Sequence, residues 1–289
     1  MATRAVTSRH KPVHGLHARV LGRVDLDHAR LDADLAAIQN LPLNSGYSDY
    51  SRGNPGWRNC VLANHSGDAN DHVFEGHNQR AVATEHLAGL PYIAELLDTV
   101  FNRDHVLWAR LFICHDGMLI PHRDYLDLPE DEFTRVHLAL RRGPRSLHSE
   151  HDKVFRMREG EIWFVDGTVD HAASSFDGVP RTYLTCDFPA GIAFDELVPD
   201  PNIHGRRDVP DFVTRAPLPD DFHDQLRGLA QLTDTTGVDD AIALLSRVHL
   251  MYDVDCGQVY DWLADAAAEV GNTAVATVAR ERRRYFLGD

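Results

Sequence analysis

Residues 105–128 read HVLWARLFICHDGMLIPHRDYLDL, and their pattern decides the fold. Two runs rich in Val, Leu, Ile, Trp and Phe are split by the turn signal HDG, which predicts two short strands rather than a helix. The second run carries His122 and Asp124, groups that are costly to bury without partners, inside an otherwise half-buried strand pattern. In a strand, residues i and i+2 share a face, so His122 and Asp124 project together while Arg123 projects away. Arg123 is therefore expected to be dispensable to whatever the other two bind.

The same texture continues to residue 188: TRVHLALRRG, KVFRMREGEIWFVDG and PRTYLTCDF are short apolar-rich segments between EDE, RGP, REG and DGVP turns. Strands so closely spaced predict an antiparallel sandwich or barrel. Ahead of them, VDLDHARLDADLAAIQNLP sets Leu26, Leu31, Leu35 and Ile38 at helical spacing with Asp27 as N-cap. CVLANHSGD predicts a short strand, and PYIAELLDTVFN a second helix opened by Pro91. Residues 197–221 hold too many breakers for regular structure, and helical periodicity then runs to the C-terminus. The expected organisation is a flexible arm over 1–20, a β-rich domain over 21–200 and a small helical domain over 215–289.

With 289 residues, 43% hydrophobic and 25% charged, the chain is expected to be folded and soluble. A net charge of -15 and the lack of a dense Lys/Arg run argue against a nucleic-acid partner. Only two lysines, Lys11 and Lys153, stand among 29 basic residues, so anionic ligands are expected to be bound by arginine. Cys60, Cys114, Cys186 and Cys256 are widely separated, as in a cytoplasmic protein with reduced thiols. Neither a secretory h-region nor an 18-residue apolar run is present, so no membrane partner is expected.

An imidazole and a carboxylate side by side offer two ligands to a divalent metal. A third ligand completes a 2-His-1-carboxylate facial triad, the arrangement of non-haem Fe(II) oxygenases. His171, in EIWFVDGTVDHAASSF, follows an apolar strand and is the best-placed candidate; by itself it also reads as a turn histidine. Ten residues on, Arg181 opens the next strand. A 2-oxoglutarate chelating the metal needs a buried cation for its far carboxylate, and arginine's planar fork suits that task. His148 and His151 form a competing HxxH pair in a polar, loop-like setting; Arg135 and His137 share a face of TRVHLAL, at the surface or in the same cavity. Trp163 and Phe164 read as core.

IPHRDYLDL, EGEIWFVDGTVDHAASSF, RTYLTCDF and LLSRVHLMYDVDCGQVYDWL, with the earlier LGRVDLDHARL and YSDYSRGNPGWRNCVLANHSGD, resemble the bacterial free L-proline hydroxylases, the cis-3 and cis-4 group of the aspartyl/asparaginyl hydroxylase superfamily. The resemblance runs from about Leu21 to the C-terminus. It implies a double-stranded β-helix (jelly roll, cupin-like) core with helices, plus the small α-helical C-terminal domain. It implies Fe(II) on His122, Asp124 and His171, Arg181 on 2-oxoglutarate, and roles for Arg135 and His148 in binding 2-oxoglutarate or substrate. The implied reaction is O2-dependent hydroxylation of a free amino acid, with succinate and CO2 as co-products and ascorbate as activator. Proline or another cyclic imino acid is the expected substrate, with pipecolate or an acyclic amino acid such as citrulline as alternatives. A cupin-type isomerase and a zinc hydrolase are more distant readings.

Overall fold

A computed structural model of the chain describes residues 16–41, 44–45, 56–72, 77, 79–124, 133–204 and 209–288. The strand-forming segments are β1 (Arg19–Arg23), β2 (Asn44–Ser45), β3 (Trp57–Asn64), β4 (Val82–Ala83), β5 (Trp108–Cys114), β6 (Gly117–His122) and β7 (Phe133–Arg141). They continue as β8 (Ser146–Glu150), β9 (Lys153–Arg156), β10 (Glu161–Val165), β11 (His171–Ser175), β12 (Arg181–Pro189) and β13 (Asp211–Phe212). An eight-stranded sheet runs β1-β10-β7-β12-β5-β3-β2, with β4 beside β3, and a five-stranded sheet runs β13-β9-β8-β11-β6. The named pairings are antiparallel, and the two sheets face one another as the expected jelly roll. Phe155 of the small sheet stacks on Trp163 of the large one, with ring centroids 4.8 Å apart.

Two-residue alternation sorts the large sheet into faces. Along β12, Leu184, Cys186 and Phe188 point outward into the main core, while Arg181, Tyr183, Thr185 and Asp187 point toward the small sheet. The outer face is covered by helices α1 (His28–Ile38), α2 (Glu85–Ala88) and α3 (Pro91–Val100). Leu31, Ile38, Leu96 and Leu97 pack there against Leu111, Leu138 and Leu184. Each fully buried leucine contributes roughly 1.5–3 kcal/mol. The Asp27 carboxylate caps α1 by accepting from the Arg30 backbone N–H at 3.1 Å. Asp34, almost fully buried in α1, accepts from the Ile93 N–H at 2.8 Å and so satisfies a first-turn donor of α3.

Short helices α4 (Phe194–Leu197) and α5 (Pro201–His204) lead to β13, after which α6 (Phe222–Leu232), α7 (Val238–Leu245), α8 (Val248–Met251), α9 (Gln258–Glu269) and α10 (Thr273–Leu287) form a second hydrophobic cluster. Residues 209–221 are thus more ordered than their prolines suggest: β13 pairs with β9, and the Val213 N–H donates to Val154 O at 2.8 Å. Residues 18–20 of the expected arm also belong to the folded domain. Ala18 is 2% exposed, its N–H donates to Glu150 Oε2 at 2.8 Å, and β1 begins at Arg19; residues 1–15 lie outside the described residues. A third difference is that β6 ends at His122, with residues 125–128 of the quoted run outside the described residues. No helix among the described residues is long and apolar enough to cross a membrane.

Candidate active site

In the β6–β11 ladder His171 lies opposite His122, yet Ala173 lies opposite Leu119, so β6 holds one extra residue between these pairs. Such a bulge re-aims side chains. Leu119 packs inward with Trp57 and Cys114, Ile120 turns outward into the C-terminal helices, and His122 returns to the interior beside His171. Asp124, just past the strand, is held by its own N–H donating to Gly167 O at 2.7 Å.

The two histidines are oriented alike. Nδ1 of His122 is 2.7 Å from Ile120 O and Nδ1 of His171 is 2.9 Å from Val169 O. A carbonyl can only accept, so each Nδ1 carries the proton and each Nε2 offers a lone pair to the centre. There, His122 Nε2 is 3.3 Å and His171 Nε2 is 4.0 Å from the Asp124 carboxylate, and the three ligand atoms lie within 4.8 Å of one another. Burial, reinforced by His122, pushes His171 down to about 4, which keeps its ring neutral. Burial pushes Asp124 up, but Arg135 and the two histidines outweigh it and hold the carboxyl below its usual range. Two inward-facing Nε2 atoms and a carboxylate fit a divalent cation. His151, Asp170 and Asp255 meet the same spacing, but there Asp170 already accepts from Arg123 Nε at 2.6 Å.

Beyond the triad the inner wall holds buried polar atoms without hydrogen-bond partners among the described residues. Arg181 is 4% exposed, its guanidinium lies 4.2 Å from the Tyr183 ring, and its Nη1 has no hydrogen-bond partner among the described residues. Neither ring nitrogen of buried His148 has one either, and the ring lies nearly parallel to His171 with centroids 6.0 Å apart. Burial and the charge of Arg181 push His148 well below the usual histidine range. Buried groups of this kind call for a ligand. An arginine fork beside a neutral imidazole suits a carboxylate, so the residues also fit 2-oxoglutarate.

Toward the other end of β12, Asp187 accepts from Arg110 Nη2 at 2.6 Å and from Arg135 Nε at 2.7 Å, while Arg135 Nη1 bonds Asp124. Arg110 is sandwiched between Trp108 and Phe112, at 3.7 and 4.7 Å from their rings. His137, bonded through Nδ1 to Thr185 Oγ1 at 2.8 Å, lines the same face between Phe112 and Tyr183.

His122, Asp124, His171, Arg135, His148 and Arg181 therefore converge on one interior. His151 does not join them: it occupies the turn after β8, 3.7 Å from Asp255, so the HxxH pair is split between inside and outside. Trp163 is core, as expected, and Phe164 packs on Phe194 across the outer face. Arg110 and Asp187 are the members that sequence reasoning missed. The available signal was a charge at an inward-alternating position of a strand apolar on its other face. Arg123, although it faces away from the triad, is bonded to the residue preceding His171 rather than idle.

The aspartyl/asparaginyl beta-hydroxylase family pattern matches residues 27–190, and that of the L-proline 3-hydroxylase C-terminal region matches 195–289. L-proline cis-4-hydroxylase of Rhizobium meliloti (strain 1021) is 35% identical, covering 93% of this chain and 95% of its own length. L-proline cis-3-hydroxylase 2 of Streptomyces sp is 32% identical, covering 94% and 95%. A solved oxidoreductase of the 2OG-Fe(II) oxygenase family from Burkholderia pseudomallei aligns over 57% of this chain and 79% of its own, at 16% identity and a TM-score of 0.38. With both halves of the sequence matched and these relatives spanning nearly its full length, the chain belongs to the aspartyl/asparaginyl β-hydroxylase family, in the group of the bacterial L-proline hydroxylases.

Proposed function

We propose that the chain hydroxylates a free L-amino acid, L-proline or a closely related cyclic imino acid, using Fe(II), 2-oxoglutarate and O2. The observation that carries this reading is the pairing of a preset metal triad with a buried arginine Nη1 and a buried histidine ring that find no hydrogen-bond partner among the described residues of the same inner wall. The relatives' names supply the substrate class.

His122, Asp124 and His171 would hold the metal. Bound Fe(II) with 2-oxoglutarate supplies O2 activation coupled to oxidative decarboxylation, yielding succinate and CO2. Arg181 takes the far carboxylate of 2-oxoglutarate in a charge-assisted fork, and neutral His148 offers one donor and one acceptor beside it. Arg110 and Arg135 both bond Asp187 at the other end of the same wall, and Arg135 links it to Asp124. Trp57, Phe112 and Leu119 form an apolar wall that keeps water from the reacting carbon.

The test is incubation with Fe(II), 2-oxoglutarate and ascorbate across a panel of proline, pipecolate, citrulline and arginine, with mass detection. Gain of one oxygen on proline with matching succinate is expected, and loss of that turnover in Asp124→Ala. No stimulation of succinate formation by any free amino acid would overturn the reading.

A further inference from the structure

Arg123 sits between two ligand residues in the sequence and points out of the barrel. Its Nε donates to Asp170 Oδ1 at 2.6 Å, and Asp170 directly precedes His171. Its backbone N–H donates to Phe286 O, near the end of α10, at 2.9 Å. One residue earlier, Pro121 O accepts from Tyr260 Oη of α9 at 2.5 Å. The start of α9 rests on Asp170: a Cβ on Gly257 would stand 2.6 Å from Asp170 Oδ2, and Cys256 Sγ is 3.6 Å from Asp170 O. The segments carrying His122, Asp124 and His171 are thus cross-linked behind the site and bound to the C-terminal helices.

The bulge gives this bracing a purpose. Where a ladder is regular, backbone pairing fixes the relative orientation of opposite side chains; an extra residue in β6 removes that constraint beside His122. We propose that Arg123 and Asp170 are positioning residues for the metal triad, and that the C-terminal helices seated on this pair set the spacing of His122, Asp124 and His171. The proposal rests on the metal reading above. Partners one shell outside the ligands typically govern about 10–100-fold in metal affinity.

The experiment uses the full chain with Arg123→Ala, Arg123→Lys, Asp170→Asn and the Arg123→Ala/Asp170→Asn double variant. Co(II) is titrated by its visible absorption, the metal-free unfolding temperature is recorded, and succinate is compared with hydroxylated product. Arg123→Ala is expected to bind Co(II) about 10–100-fold more weakly, with shifted visible bands and succinate in excess of product. Arg123→Lys should recover most of the affinity, and the double variant should be no worse than the single ones. Should Arg123→Ala not fold, the gentler Asp170→Asn carries the same readouts. Wild-type Co(II) affinity and spectrum in Arg123→Ala and Asp170→Asn, with only a lower unfolding temperature, would reduce the pair to a tie between domains and overturn the proposal. Failure of the wild type itself to bind Co(II) would instead remove the metal reading and this proposal with it.

Discussion

Replacing Asp187 with asparagine tests the electrostatic balance of the inner wall directly. The side chain is fully buried and accepts from Arg110 Nη2 at 2.6 Å and from Arg135 Nε and Nη2 at 2.7 and 3.3 Å. Asparagine keeps the shape but supplies one acceptor oxygen, turns an N–H toward a guanidinium, and deletes the charge facing two buried cations. A hydrogen bond to a charged group contributes about 1.5–3 kcal/mol, and breaking a buried ion pair from one side costs about 3–5 kcal/mol. The expected loss is therefore about 3–5 kcal/mol of unfolding free energy. With a urea m-value near 3 kcal/mol/M, at the upper end of the ~1–3 range and suited to a large chain, the midpoint falls by about 1–2 M. The assay is urea unfolding followed by far-UV circular dichroism, with Glu95→Gln as control. That exposed carboxylate pairs with Arg30 at 2.6 Å, and its loss should leave the midpoint unchanged. A loss below about 1 kcal/mol in Asp187→Asn would refute the claim that this carboxylate balances the two arginines.

Arg181→Met should raise the 2-oxoglutarate KM by at least about 100-fold, since two charge-assisted bonds are lost; an unchanged KM in steady-state succinate assays would place the co-substrate elsewhere. Gly167→Ala puts a Cβ 2.8 Å from Asp124 Oδ2, an atom that Arg135 holds in place, so metal affinity should drop by roughly 10-fold or more while far-UV dichroism stays native. His249 is pushed down to about 3 by burial and by Arg215, below the 6.5 of an unfolded chain. The unfolded state then binds the extra proton, so stability is full above pH 6.5 and falls as pH drops toward 3, by up to about 1.4 kcal/mol per unit. Unfolding of wild type and His249→Gln across that window should show a flatter profile for the variant, and parallel profiles would contradict a neutral buried imidazole.

Much of the site was legible because its signals are local. His122, Asp124, His171 and Arg181 each lie in or beside a short apolar strand, and HDG, REG and DGVP mark the turns at which the chain crosses from one sheet to the other. Arg110 and Asp187 were not legible, because a charge at an inward position reads as an ordinary surface residue until both faces of the strand are known to be covered. The β13 pairing was hidden for a similar reason: in 197–221 local breakers outvote order that comes only from a partner strand distant in sequence.

Sequence alone therefore determined the β-rich core, the helix-covered face, the Asp27 cap, the helical C-terminal region and the identity of the metal-ligating candidates, all of which follow from periodicity and residue chemistry within a few positions. Tertiary structure alone decided the bulge that turns His122 inward, the sharing of Asp187 between two arginines, the division of His148 from His151, and the tie from Arg123 through Asp170 to the last helices. Those features depend on which residues far apart in the chain come within hydrogen-bond reach, and no local pattern carries that distance.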